Sequence, residues 1–93
     1  MNEPAIDLGI VLAIISSKLD LTIDEHMICF GEVGLSGEVR GVSMAEQRIQ
    51  EAAKLGFSIC ILPEVCKNAV HAIEGIHLIG VSNVKEALQV INH

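Results

Sequence analysis

From residue 43 to residue 91 the sequence alternates helix patterns that carry their own start signals with short strands that are apolar throughout. Ser43-Met44-Ala45-Glu46 has the form of a capping box, in which Ser and Glu each satisfy an orphan backbone donor. It opens a helix predicted over residues 43–55. Ala45, Arg48, Ile49, Ala52 and Leu55 follow helical spacing there, and Gly56 is a natural stop. "FSICILP" (57–63) reads as a strand ended by Pro63, and residues 64–74 as a loop with one or two helical turns. A further strand is expected over residues 76–81. Asn83-Val84-Lys85-Glu86 offers a second capping box, opening a last helix to about Ile91. Continuous apolar strands separated by helices favour parallel pairing inside an α/β layer.

The first half has a different pattern. Residues 4–18 read as a helix with Asn2 as its cap and Pro4 in its first turn. Leu8, Val11, Leu12, Ile15 and Leu19 lie on one face, and Ile6, Ile10, Ala13 and Ile14 cover much of the rest. Burial on more than one side is therefore expected. Residues 20–25 form a polar connector and residues 27–33 a strand. "GEVGLSGEVRGV" (31–42) repeats Gly-Glu-Val at a spacing of six, which suggests two strands joined by a tight turn at Gly34-Leu35-Ser36-Gly37. The predicted class is α/β, a mixed sheet with helices packed on it.

Composition bounds the function. An apolar fraction of 51% with only 2% aromatic is high for 93 residues, and the excess implies a further partner surface. A formal charge of −6, with six scattered cations, argues against this segment gripping nucleic acid by itself. Cys29, Cys60 and Cys66 form no CxxC pair and have apolar neighbours. They read as reduced, buried thiols of a cytoplasmic protein. Acidic Glu3 and Asp7 stand where a signal peptide needs a basic region, and the longest apolar run, residues 10–15, is far too short to cross a bilayer.

No catalytic constellation emerges from the residues. None of the serines at 16, 17, 36, 43, 58 and 82 lies in a GxSxG elbow. His26, His71, His77 and His93 have no HExxH or CxxC context, and His77 reads as a partly exposed strand residue. Gly31, Gly34, Gly37 and Gly41 suit a hairpin turn, since no lysine follows as in a phosphate loop. Glu32 and Glu38 are placed to face one another across the hairpin, as solvated carboxylates before an acid–base pair.

The order of the pieces adds a resemblance. "EPAIDLGIVLAIISS", "FGEVGLSGEVRGV", "AEQRIQEAAKLGF", "ILP" and "LIGVSNVKEAL" follow one another as in the C-terminal Lon-protease-like domain of the RadA (Sms) family of bacterial DNA repair proteins. The chain resembles that domain from Asn2 nearly to its end. The resemblance implies a Lon-type fold truncated at its N-terminus, without the first strands, over residues 1–93. It implies a parent with a zinc finger and a RecA-like ATPase, so zinc and ATP are expected only outside this chain. It also implies hexameric rings acting in recombinational repair, with DNA contacted through the parent protein.

Active Lon proteases use a Ser–Lys dyad. On the resemblance, Asn2-Glu3-Pro4-Ala5-Ile6-Asp7 stands where the nucleophile lies, so the serine position is Ala5. Aligning on Ala52-Ala53-Lys54-Leu55-Gly56 puts the lysine position at Glu46. Both catalytic groups are replaced, and the expected function is a non-catalytic assembly module. The alternative is a peptidase using displaced residues such as Ser43 and Lys54, eleven positions apart. As a fragment, the chain is also expected to dimerise through a sheet edge that the missing strands leave open.

Overall fold

Asp7 sets where the first helix begins. Its carboxylate accepts from the backbone N–H of Gly9 at 2.8 Å and of Ile10 at 3.3 Å, so two orphan donors are satisfied one turn later than Asn2 would place them. The computed structural model describes residues 6–41, 43–71 and 73–91. Helix α1 spans Leu8–Leu19, and Ile6–Asp7 just before it is a short strand, β1. The predicted helix over residues 4–18 is corrected accordingly, while the expectations for Asn2, Pro4 and Ala5 fall outside the described residues. Asp20 closes α1 in the left-handed conformation, its N–H directed at the carbonyls of Ser16 and Ser17.

Only one side of α1 is buried, against the expectation of several. Leu8, Leu12 and Ser16 face the core, whereas Ile10 and Ile14 are 56% and 57% exposed. Four-residue spacing accounts for the buried row.

The predicted strand over residues 27–33 is two strands in two different sheets. β2 spans Met27–Cys29 and β3 spans Glu32–Val33, with the break at Phe30-Gly31. Gly31 takes φ 143°, a value that a side chain rarely allows, and its carbonyl accepts the Leu8 N–H at 2.9 Å. β4 spans Val39–Arg40 and completes the expected hairpin. Its register places Glu32 opposite Arg40 and Val33 opposite Val39, so the two carboxylates do not face each other. Glu38 instead accepts from the Ser36 N–H and from the Arg40 guanidinium, which ties the turn to its own strand.

Helix α2 spans Ala45–Lys54, and the capping box at its start does not form. Met44 occupies the cap position with φ 58°, and no side chain caps the helix. The left-handed turn at Met44 carries the chain into the helix, and the Arg48 Nε–H donates to the Ser43 carbonyl at 3.2 Å. The other end is as expected: Gly56 N–H reaches Ala53 O and Phe57 N–H reaches Ala52 O, the double bond of a Schellman stop. β5 spans Ile59–Pro63, α3 spans Glu64–Ala69, β6 spans His77–Val81 and α4 spans Val84–Ile91. The second box makes its forward bond, and its return bond reaches one residue before the cap. Glu86 N–H donates to Asn83 Oδ1 at 2.9 Å, and the Glu86 carboxylate returns to the Ser82 N–H at 2.6 Å.

The strands form two three-stranded sheets. One is antiparallel in the order β1-β3-β4, and the other is parallel in the order β2-β5-β6. They meet where Val39 N–H donates to Ser82 O and Val84 N–H to Gly37 O. β5 is the middle strand and is buried on both faces: Cys60, Ile61 and Leu62 are all fully buried. Its alternation divides the core. Ile61 joins Leu8, Leu12, Val81 and Ala87 beneath α1 and α4. Cys60 and Leu62 join Ile49, Ala52 and Cys66 beneath α2 and α3 on the opposite face.

Candidate functional site

The residues with candidate chemistry do not converge. Glu46, the position aligned with the lysine, lies exposed in the first turn of α2. Ala5, the position aligned with the serine, lies outside the described residues. Ser43 precedes α2 and Lys54 ends it, both exposed, so about 15 Å of helix separates them. A nucleophile and its base need hydrogen-bond reach, and this pair has none.

The described histidines, His26, His71 and His77, are surface groups. His26 lies 3.3 Å from the Asp24 carboxylate, with both side chains more than half exposed. His77 opens β6 and is exposed, as expected for it. Among the described residues no three His, Cys, Asp or Glu side chains come together to hold a metal ion.

Cys29 and Cys60 stand on neighbouring strands. The register pairs Ile28 with Cys60 and Cys29 with Ile61, so the two thiols point to opposite faces. Burial pushes the Cys29 thiol up to about 11 and the Cys60 thiol up to about 12, with Asp7 adding to the first and Cys29 to the second. Both are inert packing groups at neutral pH.

The remaining features are surfaces. On α1, Ile10 and Ile14 project to solvent, and Ala13, Ile14, Ser17 and Lys18 line a shallow depression. On the opposite face of the parallel sheet, α2 and β2 enclose a groove of about 170 Å³. Ile28 and Phe30 form its floor. Arg48, Glu51 and Leu55 form its wall, with Leu55 72% exposed. Among the described residues β2 has a strand neighbour on one side only. Sequence reasoning named Arg48 and Leu55 as helix positions and did not single out the groove. Its available signal was the stretch Ile28-Cys29-Phe30, whose alternation leaves two large side chains on one face beside an edge.

Comparison with known proteins places these surfaces in a family. The family described as "Subunit ChlI of Mg-chelatase" matches residues 2–66. The DNA repair protein RadA of Bacillus subtilis is 51% identical over 89 residues, which is 96% of this chain and 19% of that protein. The RadA proteins of Halalkalibacterium halodurans and Aquifex aeolicus are 47% and 37% identical, over 97% and 98% of this chain and 20% of each relative. The chain belongs to that family, and nearly its whole length is similar to a segment of the RadA proteins. It spans about a fifth of the length of the RadA relatives it matches. The residues aligned with RadA therefore include both surfaces, on α1 and along α2. No helix among the described residues is long and apolar enough to cross a membrane.

Proposed function

We propose that this segment is a non-catalytic, Lon-protease-like assembly module of a RadA-type DNA repair protein, holding subunits together in a ring. The observation that carries the reading is the exposed apolar row of α1, Ile10 and Ile14, on a chain with no converging catalytic groups among the described residues. A helix that presents two isoleucines to solvent on the face opposite its buried row is shaped for a partner. The replacement of the dyad positions by Ala5 and Glu46, which rests on the resemblance, agrees with a module that holds and does not cut. Hydrolysis of ATP, binding of zinc and contact with DNA then belong to the other four-fifths of the RadA-length protein. The test uses a full-length RadA-type protein containing this segment. Ile10→Glu with Ile14→Glu is expected to convert rings to smaller species in sedimentation velocity while the circular dichroism spectrum is kept. Rings that persist in the double variant overturn the reading, and so does casein turnover that Ser43→Ala abolishes.

A further inference from the structure

A pocket of about 340 Å³ lies where the end of α3 and residues 70–76 meet the start of β6. Val70, Ile73, Ile76 and Leu78 give it apolar walls. His77 also lines it, but its side chain belongs to the other face of the sheet. The register sets His77 opposite Ile59 and Ile79 opposite Ile61, which stands beneath α1 and α4. Leu78, opposite Cys60, faces α2 and α3.

The charge of this pocket runs against that of the chain. Acids outnumber bases twelve to six overall, yet among the described lining residues there is a lysine, Lys67, and no Asp or Glu. The stem of Lys67 packs over Gly80, with its Cδ 3.0 Å from where a Cβ of residue 80 would stand, and the missing side chain leaves room for it. The Glu64 carboxylate lies over the same glycine. Among the described residues no carboxylate comes within 4 Å of the Lys67 ammonium, which is left unpaired.

A backbone donor stands next to that glycine's strand neighbours. His77 N–H donates to Ser58 O at 2.8 Å, so the alternation of a parallel strand turns the N–H of Leu78 away from β5. Among the described residues β6 has no strand neighbour on that side, and no backbone carbonyl accepts from Leu78 there.

We infer that this pocket binds a small carboxylic acid with an apolar body, its carboxylate shared between the Lys67 ammonium and the Leu78 N–H. Apolar walls with a few polar groups suit a hydrocarbon body held by one polar end, and the volume is small for a ligand site, which limits the body to about four to eight carbons. A carboxylate only accepts, and a cation with a backbone N–H only donate. One cation, with Glu64 close by, suits a single negative charge better than the nearly two of a phosphate monoester. The site shares no residue with the exposed row of α1 and needs no second subunit.

A titration of the isotope-labelled 93-residue chain with hexanoate, followed by amide chemical shifts, tests it. Shifts confined to residues 67–80 and largest at the Leu78 N–H are expected, with a dissociation constant of about 1 mM for so small a ligand. Hexan-1-ol and hexylammonium keep the body and lack the carboxylate, and should each bind about tenfold more weakly. Lys67→Met keeps the apolar stem. It should weaken hexanoate by about tenfold and leave hexan-1-ol unchanged, whereas Lys67→Arg, which keeps the charge, should stay within about threefold of wild type. Lys67 is exposed, and thermal melts check that both variants fold. Hexanoate that moves no amide at about 20 mM overturns the inference. So do shifts spread evenly over α1 and α2, hexan-1-ol that binds as tightly as hexanoate, a Lys67→Met chain that binds hexanoate as well as wild type, or a Leu78 N–H that stays in place while its neighbours move.

Discussion

At the scale of single residues, the buried face of α1 contains one polar side chain that the core does not serve. Ser16 is 3% exposed, and its hydroxyl has no hydrogen-bond partner among the described residues. A buried hydroxyl left unpaired costs about 1–3 kcal/mol of desolvation. Ser16→Ala removes that cost and keeps the methylene, so the variant should be more stable by about 1 kcal/mol in urea denaturation. Glu38 shows the opposite case, a carboxylate that is fully used. Its own backbone N–H, the Arg40 guanidinium and the Ser36 N–H hold its pKa below the ordinary value of 4.5. A lowered folded-state pKa stabilises the fold above the unfolded value and ceases to do so as the pH falls through the folded one. Glu38→Gln should therefore lower the urea midpoint at pH 7. The gap to wild type should close as the pH is taken below the normal carboxylate range, and a gap constant with pH would contradict the assignment.

At the scale of elements, boundaries failed where the deciding bond came from outside the element. The sequence patterns located α2, β5, β6 and α4, and named the Gly56 stop and the Asn83 cap, because those signals lie within a few residues of what they control. Asp7 takes over the start of α1 from Asn2 because Ile6 is drawn into β1 against Val33. Nothing in the local pattern announces that long-range pairing. The same applies to the strand predicted over residues 27–33. Its composition is continuous, yet the chain leaves the parallel sheet at Phe30 and enters the antiparallel one at Glu32. The hinge is Gly31. A Cβ there would lie 2.9 Å from Val39 Cγ1 and 3.4 Å from Pro63 Cγ, on a backbone at φ 143°. Gly31→Ala must absorb both the strained backbone and the contact. It should cost about 2–3 kcal/mol or more, read as a lower urea midpoint. Gly37→Ala, where φ is 81° and no atom lies within 4 Å of a built Cβ, should cost less. The groove followed the same rule of legibility. Arg48 and Leu55 were visible as helix positions, but their meeting with Ile28 and Phe30 depends on how α2 packs beside β2.

At the scale of the whole molecule, the distribution of charge matters more than its sum. The chain carries six Lys and Arg against twelve Asp and Glu. Three of the cations, Lys18, Lys54 and Lys67, fall in the last turn of three different helices, where they complement the carbonyl ends of those helices. Arg40 is committed to Glu38 and Arg48 bonds the Ser43 carbonyl. Lys85 stands on α4. Tight duplex binding works by releasing counterions from several adjacent phosphates at once, which needs a row of cations on one face. These cations are spread over four helices and a hairpin, with a net −6 around them. The isolated chain should show no retention of duplex DNA in filter binding even at about 50 mM salt, where phosphate contacts are strongest. Retention that falls steeply between about 50 and 200 mM salt would show a phosphate grip that this charge arrangement does not supply. On the proposed reading, in which DNA is contacted by other parts of the full-length protein, replacing all three helix-end lysines with Gln should leave the salt dependence of any DNA binding by the full-length protein unchanged, because each stands at the carbonyl end of a different helix.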